Sequence, residues 1–202
     1  MTVRAVCFDL LSALLDSGAV WDAVAGELGA PGLGRRWRRT YLALTSEEGG
    51  YRPYLDVVAD AAGAVGLPPR ASGLLEERWD RLEPWPDVRL ALERLALPLA
   101  VVTNCAAVLG RRAAARVGVT FDVVVTAEEA GAYKPDPAPY RLACERLGQA
   151  PAGVAYVAGS PFDARGALAQ GFQVTWVNRL HDAEPPELAA ARVTPSLEGW
   201  RP

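Results

Sequence analysis

The sequence has few of the side chains that commonly serve in catalysis or bind metals. Its 202 residues include a single histidine, His181, so a Ser-His-Asp triad would depend on this one residue near the C-terminus. A histidine-rich zinc site cannot be built from one imidazole. Lysine is equally scarce, because Lys134 is the only one and every other basic side chain is arginine. Carboxylate, lysine or cysteine chemistry is what remains.

Long apolar runs and an excess of positive charge are also missing. No uncharged apolar run reaches the roughly 18 residues of a transmembrane helix. The N-terminus lacks the basic segment, apolar core and cleavage site of a signal peptide. The net charge is -3, whereas nucleic-acid-binding proteins usually present a basic face. We therefore expect a cytoplasmic protein that binds neither nucleic acid nor membranes.

The sequence has three cysteines, Cys7, Cys105 and Cys144. They are too few for a disulfide framework and lie in segments that are predicted to be buried or helical. Their odd number indicates reduced thiols in a cytoplasm. Cys105 follows Asn104 near a predicted helix start, where the pKa of a thiol falls. A cysteine nucleophile would still need a base, and we do not expect His181 to reach it. A packing role for Cys105 is favoured.

What is present is an alternation of short apolar runs with helical patterns. β-Branched runs of this kind predict βαβ units, so we expect an α/β fold with a Rossmann-like parallel sheet flanked by helices. The predicted strands are Ala5–Phe8, Leu99–Val102, Val123–Val125, Val154–Val157 and Gln173–Val177. Helices are predicted over Val108–Val117 and Pro139–Leu147, and the tail after His181 is expected to be a peripheral return.

The first two predicted strands are separated by a long helical segment. A segment of this length is an inserted domain and not a loop. We predict a core domain of residues 1–15 plus 86–202 and a helical cap domain of residues 16–85. The cap is rich in aromatic residues, which either fill its own core or line a cleft, and which could also form the face of a homodimer. They are Trp21, Trp37, Trp79, Trp85, Tyr41, Tyr51 and Tyr54.

Polar side chains follow four of the predicted strands. Asp9 ends the first, Thr103 and Asn104 follow the second, Lys134 follows the third, and Asp163 follows the fourth. The carboxyl ends of parallel strands form one edge of a sheet, where ligands bind. An ammonium near Asp9 would lower the pKa of this carboxylate and neutralise its charge. The four strand ends therefore predict one site.

These strand ends together resemble the four motifs of the haloacid dehalogenase (HAD) superfamily, over essentially the whole chain. The resemblance implies that Asp9 is a nucleophile and Lys134 its charge partner. It implies that Ser160 or Asp163 positions a hydrolytic water, with Asp163 alternatively holding Lys134 in place. Substrate contacts are expected from residues beside these motifs: Leu11, Thr103 and Asn104.

Two departures from the motifs narrow this expectation. The superfamily's phosphatases have a second Asp, as general acid/base, at the position of Leu11. Their magnesium-binding Asp is also missing from Ala158-Gly159-Ser160, and a hard cation needs such oxygen ligands. The sequence resembles more closely the metal-free type II 2-haloacid dehalogenases, in which the leaving halide needs no proton. We therefore expect no cofactor and a small anionic substrate, with magnesium needed only by a phosphatase.

Further positions are similar to those dehalogenases or depart from them. Tyr140 stands six residues after Lys134, as a tyrosine does in that branch, although a helix-core role is the plain alternative. Arg52, in an aromatic-flanked Gly-rich turn, is the best candidate for the cap arginine that binds the substrate anion; a surface arginine is its alternative. Ala13 stands in place of the first-motif Thr, and Gly159 and Ser160 stand in place of a Ser/Asn pair, which removes hydrogen bonds.

Three hypotheses follow from the sequence. The first is a metal-independent hydrolase of the 2-haloacid dehalogenase type, which forms and then hydrolyses an ester on Asp9. The second is a HAD phosphatase that acts on a small phosphorylated metabolite through a rearranged metal site. The third is a non-catalytic binding or regulatory protein that keeps the fold. The sequence does not identify the natural substrate.

Overall fold

The computed structural model describes residues 2–202; Met1, the first residue of the predicted core segment, lies outside them. A six-stranded parallel sheet forms the centre of the molecule, in the order β3-β2-β1-β4-β5-β6. Its strands are β1 Ala5–Asp9, β2 Leu99–Thr103, β3 Val123–Thr126, β4 Val154–Ala158, β5 Gln173–Val177 and β6 Arg192–Thr194. The predicted Rossmann-like α/β fold is confirmed.

Helices connect and cover the strands. Four of them lie between β1 and the segment leading into β2: α1 Ser17–Glu27, α2 Gly34–Glu47, α3 Tyr54–Ala64 and α4 Ala71–Glu77. The others are α5 Val88–Glu93, α6 Ala107–Arg116, α7 Ala127–Ala130, α8 Pro137–Leu147 and α9 Pro161–Ala169. A π-helical turn, Leu10–Leu14, directly follows β1. Short 3-10 turns occupy Trp79–Arg81, Pro151–Gly153 and Pro186–Leu188.

The central strands are apolar throughout because both faces of the sheet are covered. Every residue of β1, β2 and β4 is buried, as expected for a parallel sheet between helical layers. Side chains alternate between two cores: Val6 and Phe8 enter one, whereas Ala5 and Cys7 enter the other. The strand order reverses at β1, between β2 and β4, and such a reversal opens a crevice at the carboxyl edge of the sheet.

The segment between β1 and β2 packs around aromatic side chains. The Trp21 and Trp37 rings lie 4.5 Å apart, and Tyr41 and Tyr54 lie 5.4 Å apart. The Trp79 indole donates a hydrogen bond to the Leu109 carbonyl on α6, at 2.9 Å. An isolated bridge pairs Leu15 with Pro84, at the two ends of the segment. The chain therefore enters and leaves the segment at neighbouring points, which supports the division into core and cap. That division stays a prediction.

The C-terminal tail differs from the expected peripheral return. Residues Arg192–Thr194 extend the sheet as β6 beside β5. Beyond them, the buried Trp200 donates an indole hydrogen bond to the Thr175 hydroxyl at 3.1 Å. Three partly exposed residues give no apolar run, so sequence patterns miss this edge strand. Within residues 2–202, no helix combines the length and apolarity needed to cross a membrane.

Helix α6 approaches β2 and β3 closely at Gly110. A Cβ at this position would lie 2.7 Å from Thr126 Cγ2 and 3.1 Å from Thr103 Cγ2. We expect Gly110→Ala to lower the free energy of unfolding by about 1–3 kcal/mol through overpacking. The matched change Gly73→Ala, with nothing within 4 Å in α4, should instead raise it by about 0.5–1 kcal/mol. Denaturant unfolding measures both; equal effects would contradict the packing of α6.

Candidate active site

Asp9 is the last residue of β1, and its carboxylate is held by the turn that follows. Its Oδ2 accepts three hydrogen bonds: from the Ser12 backbone N–H at 2.9 Å, the Ser12 hydroxyl at 2.7 Å and the Ala13 N–H at 3.1 Å. Its Oδ1 accepts one, from Lys134 at 2.9 Å. The side chain is buried, with 7% of Asp9 exposed. One oxygen is therefore saturated with donors while the other has a single partner.

Lys134 joins the carboxylates from two strand ends. Its Nζ lies 2.9 Å from Asp9 Oδ1, 3.0 Å from Asp163 Oδ2 and 3.2 Å from the Tyr156 hydroxyl. An ammonium has three N–H donors, so each has an acceptor. Lys134 is 3% exposed. Unlike a lysine in a solvated loop, Lys134 has an enclosed ammonium whose three N–H groups all have acceptors.

Asp163 lies in the first turn of α9, whose N-terminus is capped by the Ser160 hydroxyl. Its Oδ1 accepts hydrogen bonds from Tyr140 at 2.8 Å and Tyr156 at 3.1 Å, and its Oδ2 contacts Lys134. Both oxygens are thus engaged. Sequence reasoning missed Tyr156, because a tyrosine inside an apolar strand reads as core packing.

Burial and charge pairing act against each other on these groups. Burial alone would raise the pKa of Asp9, but Lys134 and the hydrogen bonds from Ser12 outweigh it and hold the pKa below its usual range. Burial would lower the pKa of Lys134, yet Asp163 and Asp9 raise it. Burial, with the like charge of Asp9, raises the pKa of Asp163. Of the two carboxylates, Asp9, the candidate nucleophile, therefore stays ionised more readily than Asp163.

Thr103 and Asn104, predicted to contact substrate, differ in their surroundings. The Asn104 amide donates to the Lys134 carbonyl at 3.0 Å and accepts from the Lys134 N–H at 2.7 Å, so it fixes the backbone that carries the ammonium. Thr103 Oγ1 is buried beside the cavity and has no hydrogen-bond partner among residues 2–202. A buried hydroxyl without a partner is costly unless a ligand supplies one.

A narrow cavity of about 40 Å³ opens at this strand edge. Its lining includes most of the residues predicted for the site, together with side chains of the inserted segment. The lining comprises Asp9, Leu11, Ser12, Trp21, Arg38, Tyr41, Leu42, Thr103, Asn104, Lys134, Ser160, Phe162 and Asp163. Its size favours a substrate of only a few non-hydrogen atoms.

Two predicted substrate contacts do not reach this cavity. Arg52 is bound on the surface by Glu48 at 2.8 Å and Asp60 at 2.7 Å, with 42% of its side chain exposed. Tyr140 lies behind Asp163 and contacts the carboxylate instead of the cavity. Another arginine therefore replaces Arg52 as the candidate for anion binding, and the hydroxyl of Tyr140 donates to Asp163 instead of facing the cavity.

Arg38 is the arginine that lines the cavity from α2. Its Nε donates to the Ser17 hydroxyl at 3.1 Å. None of the ion pairs among residues 2–202 involves Arg38. Sequence reasoning missed Arg38 because it lies within a run of arginines. The signal that was available is the spacing of Trp37 and Tyr41, which are four residues apart and mark the inward side of α2.

The oxygen atoms of Asp9 and Asp163 are not arranged as ligands of a phosphatase magnesium site. Asp9 Oδ2 is filled by three donors, and both oxygens of Asp163 are engaged by Lys134 and tyrosine hydroxyls. The described residues contain no group of three or more His, Cys, Asp or Glu side chains placed to hold a metal ion.

Cys105 does not offer an alternative nucleophile either. Burial raises the pKa of its thiol, contrary to the expected lowering.

Comparison with known proteins places this geometry in a family. Residues 3–171 match the family model of haloacid dehalogenase-like hydrolases. An (S)-2-haloacid dehalogenase of Xanthobacter autotrophicus is 34% identical over 96% of this chain and 82% of its own. Haloacetate dehalogenase H-2 of Moraxella sp. (strain B) is 30% identical over 88% of this chain and 86% of its own.

Solved structures give the same answer. The L-2-haloacid dehalogenase of Xanthobacter autotrophicus with chloropropionic acid covalently bound superposes with a TM-score of 0.78, at 30% identity, over 97% of this chain and 96% of that one. A dehalogenase with an intermediate complex gives a TM-score of 0.83 at 27% identity, over 98% and 95% of the two chains. The chain belongs to the haloacid dehalogenase-like hydrolase family.

Proposed function

We propose that the chain hydrolyses small 2-haloacids, of the S configuration named for several relatives, with Asp9 as the nucleophile and without a metal. One observation carries the proposal: the buried Lys134 ammonium binds both Asp9 and Asp163 at the floor of a small cavity. The ammonium keeps Asp9 ionised in a place where water solvates it poorly. Such a carboxylate is suited to displace a leaving group from carbon.

In the first step, Asp9 Oδ1 attacks the carbon that carries the halogen. Oδ1 accepts one hydrogen bond and keeps a lone pair, whereas the donors on Oδ2 leave it none. A C–O bond forms as the carbon–halogen bond breaks, and halide leaves with the bonding electrons. Arg38 binds the substrate anion and Thr103 donates its unpaired hydroxyl hydrogen to it. No acid is needed, which agrees with Leu11 at the phosphatase acid position.

In the second step, water hydrolyses the Asp9 ester. Ser160 lines the same cavity as Asp9 and is the candidate that orients this water. For Asp163, which could hold Lys134 or position the water, both oxygens already accept hydrogen bonds. These contacts support a role in which Asp163, with Tyr140 and Asn104, holds Lys134 in place.

The proposal includes a cofactor-free reaction, a small anionic substrate and a cytoplasmic location without nucleic-acid or membrane partners. The haloacids named for the relatives support the substrate class. Three free buried thiols, Cys7, Cys105 and Cys144, agree with a reducing compartment. A homodimer through the cap stays a prediction.

The central test is halide release from the separate enantiomers of 2-chloropropionate and 2-bromopropionate, with EDTA present. We expect the wild type to release halide from the S enantiomer, and Asp9→Asn to lose on the order of 10³-fold or more in rate, because an amide is not a nucleophile here. Asparagine keeps the side-chain oxygen that accepts from Ser12 and Ala13, and the circular dichroism spectrum of the variant checks that the fold is kept. Magnesium-dependent release of phosphate from small phosphate esters, without release of halide, would instead favour the phosphatase alternative.

A second test separates the two candidate arginines. Arg38→Met should raise KM and lower kcat/KM by about 10- to 100-fold, the effect of one charge-assisted hydrogen bond. Arg52→Met makes the same side-chain change on the surface, where it removes two exposed ion pairs, and should change kcat/KM by less than about threefold. Steady-state halide release measures both. Loss of activity in Arg52→Met alone would contradict this assignment.

A third test concerns pH and Lys134. In the wild type, the lowered pKa of Asp9 contributes stability that is present above the unfolded-state pKa and lost as pH falls through the folded-state pKa. In Lys134→Met, burial raises the pKa of the unpaired carboxylates, so their contribution becomes a penalty that grows as pH rises. We expect the variant to be less stable than the wild type by about 3–5 kcal/mol at neutral pH, and by less in acid.

Denaturant unfolding at about pH 5 and about pH 8 measures this difference. The matched control is Arg111→Met, which removes an exposed cation paired with Glu129 and should change stability by at most about 0.5 kcal/mol at either pH. A difference between wild type and Lys134→Met that does not grow with pH would contradict the buried ion pair.

A further inference from the structure

The turn after β1 carries a hydroxyl that the mechanism above leaves unused. Ser12 Oγ lies 2.7 Å from Asp9 Oδ2, in addition to the backbone N–H groups of Ser12 and Ala13 at 2.9 and 3.1 Å. Ser12 therefore supplies a third donor to Asp9 Oδ2, from its side chain, beside the two backbone N–H groups. We propose that Ser12 Oγ completes a three-donor oxyanion hole that accelerates hydrolysis of the Asp9 ester.

The proposal rests on the proposed function and follows from which Asp9 oxygen reacts. If Oδ1 forms the ester bond, then Oδ2 becomes the ester carbonyl oxygen. Water adds to Asp9 Cγ, and the electron pair of the carbonyl bond moves onto Oδ2. The Cγ–Oδ1 bond then breaks and the hydroxy acid leaves. One proton of the water ends on the departing oxygen, and the other is released to solvent as Asp9 ionises again.

Three hydrogen-bond donors at Oδ2 suit the oxyanion of the transition state better than they suit the resting carboxylate. A carboxylate oxygen has two lone pairs in its plane, whereas a tetrahedral oxyanion has three. Three donors already stand within 3.1 Å of Oδ2, the range found for groups that stabilise developing negative charge. Because their positions are fixed by the turn, they need no rearrangement when the charge forms. Their interaction is therefore stronger in the transition state than in the ground state.

Gly159 provides an independent reason why the hydroxyl stands there. A Cβ at Gly159 would lie 2.3 Å from the Ala13 nitrogen and 2.6 Å from Ser12 Oγ. Only a residue without a side chain lets the end of β4 approach both donors so closely. The fourth motif that this segment resembles has a serine at this place. Because Ser12 carries a hydroxyl and Gly159 carries no side chain, one hydroxyl occupies the space between the two segments.

The test is the variant Ser12→Ala, which keeps both backbone donors and removes the hydroxyl alone. We expect the burst of halide in the first turnover to remain close to that of the wild type. Ester hydrolysis should slow by about 10²-fold, the effect of losing one oxyanion donor. The protein should then accumulate the acid fragment as a covalent adduct, measured by intact-protein mass spectrometry after quenching. Ser46→Ala, which removes a hydroxyl from α2 remote from the cavity lining, is the matched control.

Three other outcomes are informative. Unchanged steady-state release with no adduct in Ser12→Ala would overturn the proposal, since the hydroxyl would then contribute nothing to hydrolysis. A smaller burst without an adduct would also overturn it, because the hydroxyl would then serve only the attack on carbon. A wild type that releases no halide would count against the proposed function itself, which distinguishes the two failures. Gly159→Ala, which displaces the same donors, should also accumulate the adduct if it folds.

Discussion

The ion pair between Lys134 and two buried carboxylates is the interaction on which the rest of the site depends. Taking an ammonium and two carboxylates out of water costs several kcal/mol per charge, and this cost is offset only when the groups are well paired and fully hydrogen-bonded. Here each N–H of Lys134 has an acceptor, and both oxygens of Asp163 have donors. The cluster carries one negative charge in excess, and in the proposed mechanism Asp9 uses that charge as a nucleophile.

The fold brings these groups together across large separations in sequence. Asp9 and Lys134 are 125 residues apart, and Lys134 and Asp163 are 29 apart; no local structure could join them. Parallel strands do so because their carboxyl ends meet at one edge, beside the point where the strand order reverses. The inserted segment then closes the edge from above with Arg38 and aromatic side chains. In the proposed mechanism the sheet supplies the reactive groups and Thr103, and the insert supplies Arg38 as a second contact to the substrate anion.

Much of this site is visible in the sequence, and the exceptions have physical reasons. Asp9, Thr103 and Lys134 each follow a recognisable apolar strand, so their meeting at one edge can be predicted. The choice between Arg38 and Arg52 cannot, because it depends on how helices of the insert are oriented over the sheet. Tyr156 is hidden for a different reason: its ring belongs to the core while its hydroxyl reaches Lys134. The edge strand β6 has too few buried residues to leave a pattern.

The structure also changes the meaning of the apparently degenerate motifs. In the sequence, Ala13 and Gly159 indicate a loss of hydrogen bonds to the carboxylates of the site. In the folded chain, the Ser12 hydroxyl donates to Asp9, and the Tyr156 hydroxyl links Lys134 to Asp163. Hydrogen-bonding demand belongs to the buried atoms and not to sequence positions, so neighbouring side chains can supply what a motif residue lacks. A motif comparison considers residue types at fixed positions, whereas a buried carboxylate can be bonded by any donor that lies close enough. Here the hydroxyls of Ser12 and Tyr156 are such donors.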